Sequence, residues 1–239
     1  MRTLASSCLL IAVVAAPAWG GGFTLLPGFN TADLADLADA VADGITFPNL
    51  GGAAPSGISG FAAQVAVGGP QVDTGSGWWR RGVDSRAVAG TFVGLRGIAR
   101  FALPGHLQLG GQVGQLAGER FWGGEVRWEL VDGGVISPSV GVRGSYSKLS
   151  ADALAVEMGE LQLVVSKGFA VATPYAAIGG RRVQANANFG APIAAPHEFR
   201  RDKFSAAVGV RMALAPLSLM GEVRQGARLG VFVGVGIGL

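Results

Sequence analysis

Long apolar runs, cysteine, histidine and charge are all scarce in this chain, and each scarcity removes a class of protein. No segment beyond the first twenty residues holds eighteen successive apolar residues, so a membrane-spanning helix is not expected there. The one cysteine, Cys8, and the two histidines, His106 and His197, lack the clustering of a zinc site, and no cofactor is expected. Charged residues make up 15% of the chain, against roughly 25% in soluble domains. No glycine-rich phosphate loop follows a strand and enters a helix.

The N-terminus reads as an address. Arg2 precedes an apolar stretch from Cys8, and Ala16-Pro17-Ala18 fits a small-x-small cleavage site before Trp19. The stretch is too short to cross a hydrocarbon core of about 30 Å. Residues 1–18 are therefore expected to be a secretory signal peptide, and the mature chain to hold no cysteine. Loss of Arg2 lowers the formal net charge from +3 by one, to +2, too small and dispersed to argue for nucleic acid.

What is abundant is glycine, 40 residues, together with alternation. The last eleven residues, LGVFVGVGIGL, set Leu229, Val231, Val233, Val235, Ile237 and Leu239 on one parity. Gly230, Phe232, Gly234, Gly236 and Gly238 take the other. This is a strand with one greasy face and one slim face.

The same pattern recurs over 58–67, 89–103, 106–116, 121–131, 135–147, 156–165, 169–183, 204–214 and 217–225, giving ten strands, with eight or twelve as alternatives. In 121–131 the contrast is sharp: Trp122, Val126, Trp128 and Leu130 oppose Glu125, Arg127 and Glu129. Three segments fit less well. Glu157 and Glu160 fall on opposite parities and suggest a bulge. In 169–183, Phe169, Val171 and Tyr175 share a face while Pro174 sits mid-strand, and Pro138 raises a milder form of the same objection.

Short connections near 104, 132, 167 and 215 alternate with longer ones at 69–88, 148–155 and 184–203, although two on that second side, near 118 and 226, are short. That alternation, with both chain ends on the short-turn side, is the pattern of a transmembrane antiparallel β-barrel. In hydrocarbon every strand N–H and C=O must be paired, so a sheet closes on itself and turns its apolar face outward.

From its signal peptide, strand series 58–239 and terminal LGVFVGVGIGL, the chain resembles the small outer-membrane β-barrel proteins of Gram-negative bacteria. The resemblance implies outer-membrane lipid, lipopolysaccharide and the barrel-assembly machinery as partners. Many such proteins end in an aromatic residue, commonly Phe, whereas this one ends in Leu239.

Assigning the polar parity to the interior places Arg96, Arg100, Arg127, Arg143, Arg211 and Arg224 there with Glu125, Glu129 and Glu222. An internal ion-pair network supporting the barrel is the favoured reading, and a low-conductance anion-preferring channel is the alternative. Ten strands leave a lumen too narrow for a general porin.

Ahead of the barrel, residues 19–57 contain a helical pattern at about 31–44. Asn30 or Thr31 serves as cap, with an apolar stripe of Leu34, Leu37, Ala38, Val41 and Ile45 and an acidic face of Asp33, Asp36, Asp39 and Asp43. It is expected on the periplasmic side, as a plug of the lumen, a cap on the rim, or a helix lying on the membrane.

On the exterior side, Trp78, Trp79, Arg80 and Arg81 suit contact with lipopolysaccharide phosphate, the indoles anchoring at the interface. His197 lies in the loop 184–203 with Asn186, Asn188, Glu198, Arg200, Arg201 and Asp202. A rim pair of Asp73 or Asp84 with His197 is the only arrangement resembling a hydrolase. It matches in residue type alone, and a non-enzymatic envelope role is preferred.

Overall fold

The computed structural model describes residues 22–26, 28–54, 60–83, 87–134, 136–187 and 197–238. Ten strands close into one antiparallel barrel. They are β1 (Phe61–Pro70), β2 (Gly94–Leu103), β3 (Leu107–Leu116), β4 (Glu119–Val131), β5 (Ser139–Ser150), β6 (Leu154–Ser166), β7 (Ala172–Ala187), β8 (His197–Leu214), β9 (Leu217–Gln225) and β10 (Leu229–Gly238). Each pairs with its neighbours in sequence, and β1 closes on β10 from Ala62 opposite Gly238 to Pro70 opposite Gly230. The closing ladder leaves no edge strand, as hydrocarbon requires.

The alternation maps onto two faces. Outward side chains form a continuous apolar surface that includes Trp122 (54% exposed), Phe204 (65%) and Val233 (51%), while their neighbours in sequence point inward and are buried. So large an exposed apolar surface suits lipid and not water. Aromatic contacts mark both ends of this band. Phe61 and Phe101 meet at 4.9 Å near the short turns, and Trp122 and Tyr146 at 5.7 Å toward the other mouth. Among the described residues no helix is long and apolar enough to cross a membrane.

Several details differ from the sequence reading. No register shift occurs in β6, whose Glu157 simply faces outward and pairs with Lys148 at 2.7 Å while Glu160 faces inward. The irregularity lies instead in β4, between Glu129 and Val131. Pro138 precedes β5, and Pro174 is the third residue of β7, where its missing N–H interrupts little of the ladder. Phe169 and Val171 belong to the turn before β7, so they cannot report its parity: Tyr175 faces inward. Most of the supposed loop 184–203 is a hairpin, because β7 runs to Ala187 and β8 starts at His197.

One mouth of the barrel carries the connections 104–106, 132–138, 167–171 and 215–216, the start of β1 and the end of β10. The other carries 71–93, 117–118, 151–153, 188–196 and 226–228. Long loops are exterior in such barrels, and the second mouth carries the longest connection, 71–93, so it is called the exterior mouth.

Two helices lie at that exterior mouth. In α1 (Thr31–Ile45) the Asn30 side chain accepts from the Ala32 and Asp33 amides at 2.9 and 3.1 Å, and Asp33 Oδ2 accepts from the Asn30 amide at 3.2 Å. This capping box starts the helix. Its stripe of Leu34, Leu37, Ala38, Val41 and Ile45 is buried in one cluster with Leu116, Leu149, Leu154, Val156, Met158 and Val183 of the barrel wall.

α2 (Gly77–Gly82) brings Trp78 and Trp79 into the same cluster. The helix expected beside the periplasmic mouth is thus inside the opposite one. The reason is the chain that follows it.

Candidate functional site

After α1 the chain runs through the lumen from Thr46 to Ala53, and the inward arginines grip it mainly by its backbone. Arg96 donates to the carbonyls of Gly44 (2.7 Å) and Thr46 (2.5 Å), and Arg143 to that of Phe47 (2.5 Å). Arg100 donates to Pro48 (3.1 Å) and Asn49 (2.9 Å). Arg127 reaches the Gly52 carbonyl and Asn49 Oδ1.

From the acceptor side, Glu222 Oε2 takes the amides of Asn49 (2.9 Å) and Leu50 (3.2 Å), and Ser166 Oγ takes that of Ala53 (2.8 Å). The guanidinium groups of Arg100 and Arg143 each lie over the Phe47 ring, 5.4 Å from its centroid.

The same side chains hold one another. Glu125 accepts from Arg100 (2.5 Å) and Arg143 (2.7 Å), with Arg127 at 3.6 Å. Arg224 bridges Glu160 (2.7 Å) and Glu222 (3.2 Å). Tyr175 Oη donates to Glu222 at 2.8 Å.

A buried charge is tolerable when it is paired and its remaining donors are used. Here Arg100, Arg127 and Arg143 divide their forks between carboxylate or amide side chains and the threaded backbone, which suits the planar, multi-donor guanidinium better than a lysine. The satisfaction is incomplete along the lumen: both side-chain polar atoms of Gln108, Glu129 Oε1, and the Nε atoms of Arg96, Arg127 and Arg181 are buried without a hydrogen-bond partner among the described residues.

At the exterior mouth the acidic face of α1 meets basic residues of the rim. Asp33 pairs with Arg81 (2.8 Å), Asp39 with Lys203 (2.6 Å) and Arg201 (3.3 Å), and Asp36 with Arg228 (3.4 Å). Asp43 takes Arg181 and the Arg228 amide (2.9 Å). Burial pushes the Asp43 carboxyl above the usual carboxylate range despite the arginine beside it.

The sequence placed nine residues in the lumen, and eight of them are buried there: Arg96, Arg100, Glu125, Arg127, Glu129, Arg143, Glu222 and Arg224. Arg211 is half-buried. Gln64 and Gln162, which stand opposite the apolar face in the sequence pattern, belong to the same interior, and so do Glu160, Tyr175 and Arg181, which were missed. Glu160 shares the parity of Gln162, so strict alternation would have found it. Arg181 was lost with the inverted reading of β7.

The exterior group is dispersed. Trp78 and Trp79 are 6% and 5% exposed, so they do not anchor in lipid. Trp79 stacks edge-on against Phe92 at 5.1 Å, and Arg81 is committed to Asp33. Arg80 remains exposed. Asp84 and the His197 side chain lie outside the described residues. His106 sits at the other mouth, 3.3 Å from Glu129.

A closed antiparallel ladder, an apolar exterior and a charged interior define the class: this chain is a transmembrane antiparallel β-barrel. No family model and no curated protein matches it.

Solved structures to which it is similar include the N-terminal β-barrel domain of Pseudomonas aeruginosa OprF, at 11% identity and TM-score 0.38, covering 75% of this chain and 97% of that one. Another is Ail, the attachment invasion locus protein of Yersinia pestis, at 9% identity and TM-score 0.39, covering 75% and 99%. A third is the beta domain of the Bordetella autotransporter BrkA, at 15% identity and TM-score 0.42, covering 77% and 100%.

Proposed function

We propose that this protein is a structural, envelope-associated barrel kept shut by its own N-terminal arm, with no enzymatic role. The observation that carries the reading is the occupied lumen. Between Gly44 and Ala53 the arm accepts or donates hydrogen bonds to Arg96, Arg100, Arg127, Arg143, Glu222 and Ser166, and α1 fills the exterior mouth above it.

The test is conductance of the purified full chain in planar bilayers. Silence is expected at moderate voltage. A steady open level in the unmodified protein overturns the reading.

An anion-preferring channel is the second reading, and a charge count favours it. Six buried arginines (96, 100, 127, 143, 181 and 224) face four buried glutamates (125, 129, 160 and 222), an excess of two positive charges. In the occupied state Asp43 of the arm pairs with Arg181 and offsets one of those charges. Conductance that appears only when Arg96 or Arg143 is neutralised would identify a pore that the arm normally blocks.

A further inference from the structure

The arm starts and ends at opposite mouths. Ala53 is held by Ser166, the last residue of β6, at the mouth where β1 begins. α1 lies against Leu116, Leu149 and Leu154 at the other. α1 enters the lumen as far as Gln112, midway along β3, whose side chain donates to the Ile45 carbonyl at 2.9 Å, and Thr46 to Ala53 continue from there to the mouth where β1 begins. Helix and segment together therefore cross the membrane inside the barrel.

The β1–β10 ladder is continuous around it, so the arm has no lateral way in. It is enclosed as the ring closes or passes along the axis, and either route carries residues 22–45 to the far side.

The nature of the grip fits passage. Seven carbonyls, of Gly44, Ile45, Thr46, Phe47, Pro48, Asn49 and Gly52, and three amides, of Asn49, Leu50 and Ala53, make most of the polar contacts with the wall. Side-chain contacts from the arm are few: Asn49 Oδ1 to Arg127 and Thr46 Oγ1 to Arg224 at 3.1 Å. Every residue offers a carbonyl, so a row of arginines aimed at carbonyls can hold successive registers of an extended chain. The polar ladder also hides the arm's backbone from the low-dielectric surroundings.

We propose that the barrel conveys its own N-terminal arm across the outer membrane and displays residues 22–45 at the cell surface. The α1 helix, with its acidic face clasped by Arg81, Arg181, Arg228 and Lys203, then acts as the stop that retains the arm there. The proposal goes beyond the closed-barrel reading, because a shut lumen alone does not require the arm to reach the outside.

The test is cysteine accessibility in intact cells. In a Cys8→Ser background, the exposed residues Thr24 and Ala32 are changed singly to cysteine. Asp132, exposed in the β4–β5 connection, serves as the opposite-face position. A membrane-impermeant maleimide should label Thr24→Cys and Ala32→Cys as fully in intact cells as after lysis, and Asp132→Cys only after lysis.

Protection of both arm positions in intact cells overturns the proposal, and so does labelling of Asp132→Cys without lysis. Bilayer silence alongside a protected arm would leave the closed barrel standing and remove the display.

Discussion

The guanidinium of Arg96 in β2 donates to the carbonyl of Gly44, in the last turn of α1, at 2.7 Å. A helix ends with carbonyls that have no partner within it and with partial negative charge. Nothing basic lies in the last turn of α1 itself. The barrel wall supplies the missing cation, helped by Gln112, whose Nε2 donates to Ile45 at 2.9 Å.

Arg96→Ala should therefore loosen the arm more than the barrel. It strands the Gly44 and Thr46 carbonyls and removes the guanidinium packed between Phe121 and Phe232. Hydrogen bonds to charged groups contribute about 1.5–3 kcal/mol each. Amide exchange over residues 34–45 should rise by one to two orders of magnitude, while β9 and β10 keep their protection. Equal loss of protection in both would show that Arg96 holds the whole barrel.

Trp79 tests the stopper. It is buried against Phe92 and belongs to the cluster containing Leu37 and Val41, and replacing a buried Trp by Ala typically costs about 3–5 kcal/mol. Trp79→Ala should lower the melting temperature of the near-ultraviolet dichroism that reports mouth packing. Trp122→Ala, on the lipid-facing side, should leave that transition in place. The reverse order would return Trp79 to the membrane interface.

Val233 tests the outer band. It points outward midway along β10, opposite Val67. Val233→Arg should reduce folding stability in bilayers by about 2–4 kcal/mol, the cost of a basic residue near the midplane of a barrel's lipid face. Urea titration of folding into vesicles measures this. A loss well below that range would place Val233 near the headgroups.

How much of this was legible depended on the range of the physics involved. Alternation is local: a pleated strand between lipid and a polar interior must repeat with period two. The sequence alone therefore determined the ten strands and their closure as a class, and the same alternation separated the buried parity from the apolar one. The cap and apolar stripe of α1 are local too, so the helix was found at its place in the sequence though not at its place in the barrel.

Where local signals mixed with turns, the reading failed. Phe169 and Val171 belonged to a connection and inverted the faces of β7, hiding Tyr175 and Arg181. An aromatic pair beside two arginines looked like an interface anchor. In the fold, α2 turns both indoles onto α1.

The tertiary structure decided the position of the arm. Carbonyls from Gly44 to Gly52 have no sequence signature, since every residue carries one. The arginines that grip them come from β2, β4 and β5, and the opposing carboxylate from β9. Only closure of the ring brings those strands around one segment. Their combined pull, together with the pairing of four aspartates at the exterior rim, sets α1 at the mouth opposite the one where β1 begins.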